Sequence, residues 1–452
     1  MTTLSLTQLL EKYDVPVPRY TSYPAVPNWQ ETPAASVWFD GLNVALAPDS
    51  SSLALYVHLP FCETLCTFCG CNTVITRNHE RSAPYVQTVL AELDLYLSNV
   101  PALATRPVSQ IHLGGGTPTF MPPDVLSMLL KGIAARLPLR AEGFEGSVEV
   151  DPRVTTRAHL DAMRALGISR ISLGVQDFDS EVLRLVNRPQ PFEITAALCA
   201  EARSCQYDSI NFDLIYGLPG QSVSTMSRLA DGVIDLRPDR LAVYSFARVP
   251  WIKPAQRKFK DEDVPVGAAK RELYETLRVR LLAAGYLEIG LDHFSLPHDA
   301  LASAFARGTL HRNFMGYTDR RTTALLGLGV SAISETPACY HQNEKVITVY
   351  ERRVGEGEVP TLRGHVLSDD DRKRADVIRA LMTTGRAPLT PTEAEAARVE
   401  LVDLVGDGIV EIDDRQLRIT DTGKPFIRNV AAFFDAYLRT AAKEGPVYSR
   451  AI

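Results

Sequence analysis

The chain has 452 residues, 45% of them hydrophobic and 23% charged, with a formal net charge of -6 at pH 7. That length exceeds what one compact core usually spans, so two domains, or one large domain with appendages, are expected. The acidic balance excludes a general attraction to nucleic acid or anionic membrane, and any anionic ligand has to be held by local Arg or Lys.

No apolar run approaches the roughly 20 residues of a membrane span. The opening MTTLSLTQLLEKYD lacks a basic segment followed by an apolar stretch, so no secretory signal is expected. A cytoplasmic location follows as the expectation, in a compartment where disulfides are rare. Residues 1–50 join a short helical pattern (LTQLLEKY) to proline-rich, aromatic text (VPVPRYTSYPAVPNW). Proline spacing forbids long helices there, and an N-terminal arm over residues 1–46 is expected to lie extended on another part of the protein.

From Leu53 apolar, strand-like runs alternate with amphipathic helical patterns. Strands are expected at LALYVHLP, VSQIHLGGG, GSVEVDP, RISLGVQD, INFDLIYGLP and RLAVYSFA. Helices are expected at APYVQTVLAELDLYL, PDVLSMLLKGIAARL, RAHLDAMRALG, EITAALCAEARS and SVSTMSRLADGVIDL. This alternation argues for an α/β fold with a parallel sheet, doubly wound or closed into a complete or partial barrel. Polar or glycine positions fall where the strands stop: Gly114 to Thr117, Glu149, Gln176, Asp213, and Ser245 to Arg248. Parallel α/β folds bind ligands at those ends. Polar strand ends also simply meet solvent; five in succession, beneath a cysteine loop, point to a site.

Residues 251–345 are less regular and read as an extension of the same domain, which spans 47–345. Residues 346–452 read as a mostly helical C-terminal domain, with a short β-like pair (IVEIDD, QLRIT) and a final helix (PFIRNVAAFFDAYLRTAAK). Helices followed by such a pair resemble a winged helix, but the acidic text opposes phosphate binding, and a packed cap is expected with no nucleic-acid partner.

The segment HLPFCETLCTFCGCN, His58 to Asn72, holds four of the seven cysteines in the spacing Cys62-x3-Cys66-x2-Cys69-x-Cys71. Zinc sites usually present two pairs of ligands. Only Cys66 and Cys69 fit one pair, and Cys199, Cys205 and Cys339 are scattered. Three thiolates on one loop fit a [4Fe–4S] cube, which normally takes four Cys, so that one iron stays open. A plain electron-transfer cluster and a zinc loop are the alternatives at this point.

Cys62-x3-Cys66-x2-Cys69, with Phe68 before the third cysteine, resembles the signature of the radical S-adenosylmethionine (SAM) superfamily. GGGTP at Gly114–Pro118 is similar to that superfamily's glycine strand. The resemblance implies an incomplete parallel (β/α)6 barrel, and Cys62, Cys66 and Cys69 as ligands of one [4Fe–4S] cluster. The open iron then chelates SAM, and one electron cleaves SAM to methionine and a 5′-deoxyadenosyl radical. Over nearly the whole chain, PRYTSYP, YVHLPFC, FCGCN, HLGGGTPT, EVDPR, LGVQDF, DLIYGLP, HRNF, GLGVSAIS and the closing SRAI, in this order, are similar to the oxygen-independent coproporphyrinogen III dehydrogenase (oxidase) family of haem synthesis. Thr67 and Leu59 depart from it, standing where an aromatic and an isoleucine are usual.

That second resemblance implies decarboxylation of coproporphyrinogen III to protoporphyrinogen IX by a monomer, with a flavodoxin- or ferredoxin-like reducing donor. It implies two SAM molecules. Tyr56, Gly115, Glu149 and Ile333 would contact the cluster-bound one; Phe68, Gly116, Thr117, Gln176, Arg188, Asp213 and Ala247 would hold the second. The chemistry agrees: Tyr, Glu, Gln and Asp can pair with amine, ribose and adenine groups, and Arg188 with a carboxylate. Cys71, His58 and Tyr56 are the catalytic candidates. The substrate's four propionates need cations, each charge-assisted hydrogen bond contributing about 1.5–3 kcal/mol; Arg19 and Arg312 are the candidates. A haem-binding chaperone on the same barrel, without decarboxylase activity, is the alternative; Cys71, where those carriers have Phe, and the arginine–tyrosine arm argue against it.

Overall fold

A computed structural model describes residues 4–29, 33–140, 142–440, 448 and 450; of the closing SRAI only Arg450 is among them. The chain folds as two compact units, both discontinuous in sequence. One comprises Trp29–Asp213 and Arg321–Ser368; the other comprises Met1–Asn28, Leu214–Arg320 and Asp369–Ile452.

In the first unit β1 (Leu53–Leu59), β2 (Val108–Gly115), β3 (Glu145–Val150) and β4 (Ile168–Gln176) pair in parallel in that order. β5 (Ser209–Tyr216) is next in the sheet, and within it the chain leaves this unit after Asp213. On the far side of β1, Ala324–Leu328 pairs in parallel, followed by the antiparallel strands Ile333–Glu335, Cys339–Asn343 and Thr361–Val366. Helices Ser82–Asn99, Pro123–Ala134, Arg157–Arg164 and Phe192–Ser204 form the crossovers. Strands β1 to β5 and these four helices fall on runs read from the alternation. β1 is buried at every position but Tyr56, as expected of a parallel strand covered on both faces.

One element contradicts the reading of residues 1–50 as free of long helices. Ala35–Leu46 is a helix of 12 residues that buries Trp38, Leu42 and Leu46. No proline stands between Pro33 and Pro48, so the constraint that holds upstream lapses there, and the apolar stripe SVWFDGLNVAL finds a core.

In the second unit, the end of β5, β6 (Arg240–Ser245), His293–Ser295 and Leu287–Ile289 continue as neighbours, the last two antiparallel. The C-terminal part carries the helix Asp369–Thr384 and the expected β pair, Val410–Ile412 with Gln416–Ile419, joined by a third strand, Arg386–Pro388. The expected single final helix is two, Ile427–Phe433 and Ala436–Thr440. Asp435 breaks it by accepting from the N–H groups of Tyr437 and Leu438, as an N-cap does. Of the arm expected over residues 1–46, the part up to Asn28 packs within this unit, and the rest belongs to the first. Leu9 and Leu10 of the helix Leu6–Tyr13 join the core around Leu381, Ile409 and Phe426. The buried Arg428 guanidinium donates to the carbonyls of Val17 and Pro18, and Tyr20 donates to Asp435.

A buried carboxylate ties the end of β1 to the core of the first unit. Glu92, on the crossover helix after β1, has no exposed surface. It accepts from the Gly329 N–H at 2.7 Å, the Tyr350 hydroxyl at 2.7 Å and the Asn343 amide at 2.6 Å. Gly329 has φ +94°, and a Cβ there would stand 2.5 Å from the His58 carbonyl oxygen. Tyr85 donates to that same carbonyl and accepts from the Val330 N–H. Burial pushes Glu92 up to about 7, against the pull of its three donors. A carboxyl raised in the folded state carries no penalty below its ordinary 4.5 and the full penalty above 7, about 3 kcal/mol. The denaturant midpoint of the wild type relative to that of Glu92→Gln is therefore expected to fall as pH rises from 4.5 to 8, while the buried histidines act equally on both curves. Parallel curves would contradict this.

Candidate active site

The cysteine loop leaves the end of β1 and is clamped by bonds to its main chain. Phe61–Cys62 pairs with Val74–Ile75 and closes its base. The Thr67 N–H donates to the Val186 carbonyl at 3.0 Å, and the Asn187 amide donates to the Leu65 carbonyl at 2.7 Å. Cys66 is buried, Cys62 and Cys69 are half-buried and Cys71 is exposed. Cys62 Sγ lies 3.3 Å from Thr117 Oγ1. Burial pushes the Cys62 thiol up to about 12, although that hydroxyl pulls the other way. Cys71 hydrogen-bonds Cys69.

Cys66 faces two guanidiniums. Arg188 Nη1 is 3.6 Å and Arg153 Nη2 3.8 Å from its sulfur. Both are held by buried Asp151: Arg153 grips it through Nε at 3.0 Å and Nη2 at 2.6 Å, and Arg188 Nη1 through the same Oδ2 at 3.1 Å. Burial opposes the Asp151 charge, but the charge of Arg188 and the hydrogen bond from Arg153 hold it below the usual carboxylate range. Two buried atoms beside Cys66, Thr67 Oγ1 and Arg188 Nε, have no hydrogen-bond partner among protein atoms.

Among the described residues no group of three or more His, Cys, Asp or Glu is arranged to hold a metal ion. A single ion needs its donors converging on one point. An iron–sulfur cube instead takes each thiolate on a separate iron, farther apart. Three thiols on one clamped loop, with two cations against one of them, fit the second case.

Across from the loop, Glu149 at the end of β3 stands over the glycines of β2. Its Oε2 accepts from the Gly115 N–H at 3.1 Å, and Oε1 lies 3.3 Å from His112 Nε2. Burial opposes its charge, yet the His112 contact and the Gly115 N–H keep it ionised below the ordinary range. The β1–β2 register sets Tyr56 against His112 and His58 against Gly114, and the Tyr56 and His112 rings stack at 5.9 Å. His58 Nε2 is 2.9 Å from the Asn72 carbonyl, which can only accept, so Nε2 carries the proton. Nδ1 is then bare and accepts from the Tyr56 hydroxyl at 2.9 Å. Burial pulls His58 below its ordinary value, and it stays neutral. Gly115 has φ +113°, and a Cβ there would meet the His58 ring at 2.7 Å; one at Gly116 would meet the Pro60 carbonyl at 2.6 Å.

Gln176 and Arg188 converge over Gly174, each 3.0 Å from where its Cβ would be. Gln176 has φ 68°, in the left-handed region. Asp213 accepts from Ser172 at 2.8 Å and Asn211 at 3.0 Å. Phe68 is half-buried on the cysteine loop, and Ile333 packs its backbone on Gly327. The first unit thus gathers Tyr56, His58, Cys62, Cys66, Cys69, Cys71, Gly115, Gly116, Thr117, Glu149, Gln176 and Arg188 at its strand ends. Three candidates belong to the second unit. The Ala247 carbonyl accepts from Gln256. Arg19 pairs with Asp292 at 2.6 Å, and Arg312 lies buried over the Tyr317 ring at 4.4 Å. Sequence reasoning did not single out His112, Asp151 or Arg153. HLGGGTPT and EVDPR marked their segments, but nothing in one sequence says which side chains face a thiol.

The radical SAM superfamily pattern matches residues 56–232. The chain is 41% identical over 446 residues to the oxygen-independent coproporphyrinogen III oxidase of Escherichia coli strain K12, covering 96% of each protein. It is 39% identical to the protein of that name from Pseudomonas aeruginosa, covering 95% of each, and 37% identical to that from Synechocystis, covering 98% of this chain and 97% of the other. The solved coproporphyrinogen III oxidase of Escherichia coli, described as a radical SAM enzyme, superposes with a TM-score of 0.87 at 40% identity over 93% of this chain and 97% of that one. The fold is accordingly the partial parallel barrel of radical SAM type with a mostly helical C-terminal part, and a [4Fe–4S] cluster and SAM are the cofactors that go with it. With its cysteine loop, its glycine-ended β2 and kinship along almost its entire length, the chain belongs to the oxygen-independent coproporphyrinogen III oxidase family of the radical SAM superfamily.

Proposed function

We propose that this protein converts coproporphyrinogen III to protoporphyrinogen IX without oxygen, turning two propionates into vinyl groups. The observation that carries the reading is the clamped three-cysteine loop beside Glu149 and the glycine end of β2, in a chain matched end to end by oxidases of that name. Cys62, Cys66 and Cys69 would hold three irons of the cluster, and SAM at the fourth iron supplies a 5′-deoxyadenosyl radical.

The roles of the chain's own groups follow from their chemistry. Ionised Glu149 can accept from the amine or ribose of a bound SAM. The bare glycine end at Gly115 lets backbone approach it, Ile333 packs against it, and neutral His58 fixes the Tyr56 hydroxyl. A second SAM would be held by Phe68, Gly116, Thr117, Gln176, Asp213 and Ala247, with Arg188 on its carboxylate. Each propionate loses a hydrogen atom from the carbon β to the carboxylate, then CO₂ and one electron, so positioning that carbon supplies much of the rate. Cys71, exposed beside Cys69, is assigned to the substrate side. Arg19 and Arg312 are proposed for propionates. Arg19 already carries Asp292 and would have to share it, while Arg312 Nε has no protein partner. A monomer in the cytoplasm, reduced by a flavodoxin- or ferredoxin-like donor, completes the proposal.

Anoxic assay with SAM, reductant and coproporphyrinogen III is expected to release 5′-deoxyadenosine and vinyl product together. Tight haem binding without CO₂ release would instead favour the haem-carrier alternative. After reconstitution, Cys62→Ala is expected to lose the cluster, whereas Cys71→Ser keeps it and loses decarboxylation; the reverse pattern refutes the assignment. Gly115→Ala forces a side chain into the left-handed region and against His58, and is expected to cost about 1–3 kcal/mol of stability and to weaken SAM binding. Unchanged denaturant midpoint and SAM affinity would contradict the close-packed β2 end.

A further inference from the structure

Cys66 faces two cations that share one buried carboxylate. Asp151 carries one negative charge and Arg153 and Arg188 two positive charges, all within hydrogen-bond reach of one another or of Cys66 Sγ. Asp151 is 6% exposed and Arg188 5% exposed, so solvent screens this group weakly. Asp151 does more than neutralise. By gripping Arg153 through both Nε and Nη2 it fixes the plane of that guanidinium, and the same Nη2 also reaches sulfur. Arg188 is committed elsewhere as well, donating from Nη2 to the Gly174 carbonyl at 2.6 Å. Arg153 is not divided in this way. Its guanidinium donates to Asp151 and to the Cys66 sulfur.

We propose that Arg153, aimed by Asp151, is a positioning residue that sets the reduction potential of the cluster through the Cys66 thiolate. The inference rests on the reading of Cys66 as a cluster ligand. Adding an electron places further negative charge next to this sulfur, and a fixed cation donating a hydrogen bond to the sulfur stabilises the reduced form. Arg153 therefore raises the potential into the reach of the electron donor, and the pull of Asp151 on the same guanidinium limits how far.

A redox titration of the reconstituted, full-length protein tests this, followed by the electron-spin resonance of the reduced cluster, with iron and sulfide measured on the same samples. Arg153→Met and Arg153→Gln are expected to keep their iron and to titrate more negative. At a fixed potential the reduced-to-oxidised ratio is expected to fall about threefold to tenfold, tenfold being 59 mV for a one-electron couple. Arg153→Lys, which keeps the charge, is expected to recover at least half of that shift. Three variants titrating with the wild type would overturn the inference. So would equal shifts in Lys and Met, which point to packing rather than charge, or loss of iron from all three with the fold intact, which makes Arg153 a scaffold of the loop. If the wild type itself shows no [4Fe–4S] signal, the reading of the cysteines fails instead, and the two failures are told apart by that one control.

Discussion

Holding several thiolates together away from water is costly unless fixed charges and N–H groups meet them, and the arrangement of the cysteine loop follows from that cost. Asp151 is the pivot. It is a buried carboxylate whose two arginines would otherwise be uncompensated, and one nitrogen of each, Arg153 Nη2 and Arg188 Nη1, also reaches Cys66. Asp151 pairs with both arginines, so when Arg153 is removed the carboxylate keeps Arg188 as its partner. The loop has no regular structure of its own between Cys62 and Val74. What fixes it is the short pairing at its base and the side chains that reach its carbonyls.

The opposite wall is organised by a different balance. β1 has to end where its last residues meet both the loop and the glycines of β2. Tyr85 holds the His58 carbonyl, Gly329 packs bare against it, Glu92 holds Gly329, and the Asn72 carbonyl fixes the tautomer of the His58 ring. With Nε2 protonated, His58 has only one lone pair to offer, and Tyr56 takes it. The histidine ring is thereby held in one orientation. Glu149 is treated in the opposite way: donors from His112 and Gly115 keep it charged, as an acceptor for a ligand's donor groups has to be.

Much of this was legible in the sequence, for identifiable reasons. β1 to β6 were readable because buried parallel strands are nearly continuous apolar runs, and LALYVHL or SINFDLIY admits no other period. The cysteine spacing and the polar strand ends were readable because they are local. What escaped is long-range. Glu92 sits in LAELDLYL, where a helical carboxylate reads as solvent-facing, and its partners lie 237 to 258 residues away. Arg153 and Asp151 are two residues apart and visible as EVDPR, but what they do depends on a sulfur 87 residues before Arg153 in the chain. The helix Ala35–Leu46 was masked by the prolines upstream of it, and the units are interleaved in sequence, which no linear division into arm, barrel and cap expresses.

The central claim is that three cysteines leave one iron of a cube open to SAM. The most direct test is the electron-spin resonance of the anoxically reconstituted, reduced protein before and after SAM is added, with the metal content determined in parallel. The account predicts about four irons and four sulfides per chain and a signal that changes on SAM binding. Zinc in place of iron, or a cube whose signal is indifferent to saturating SAM, would contradict it.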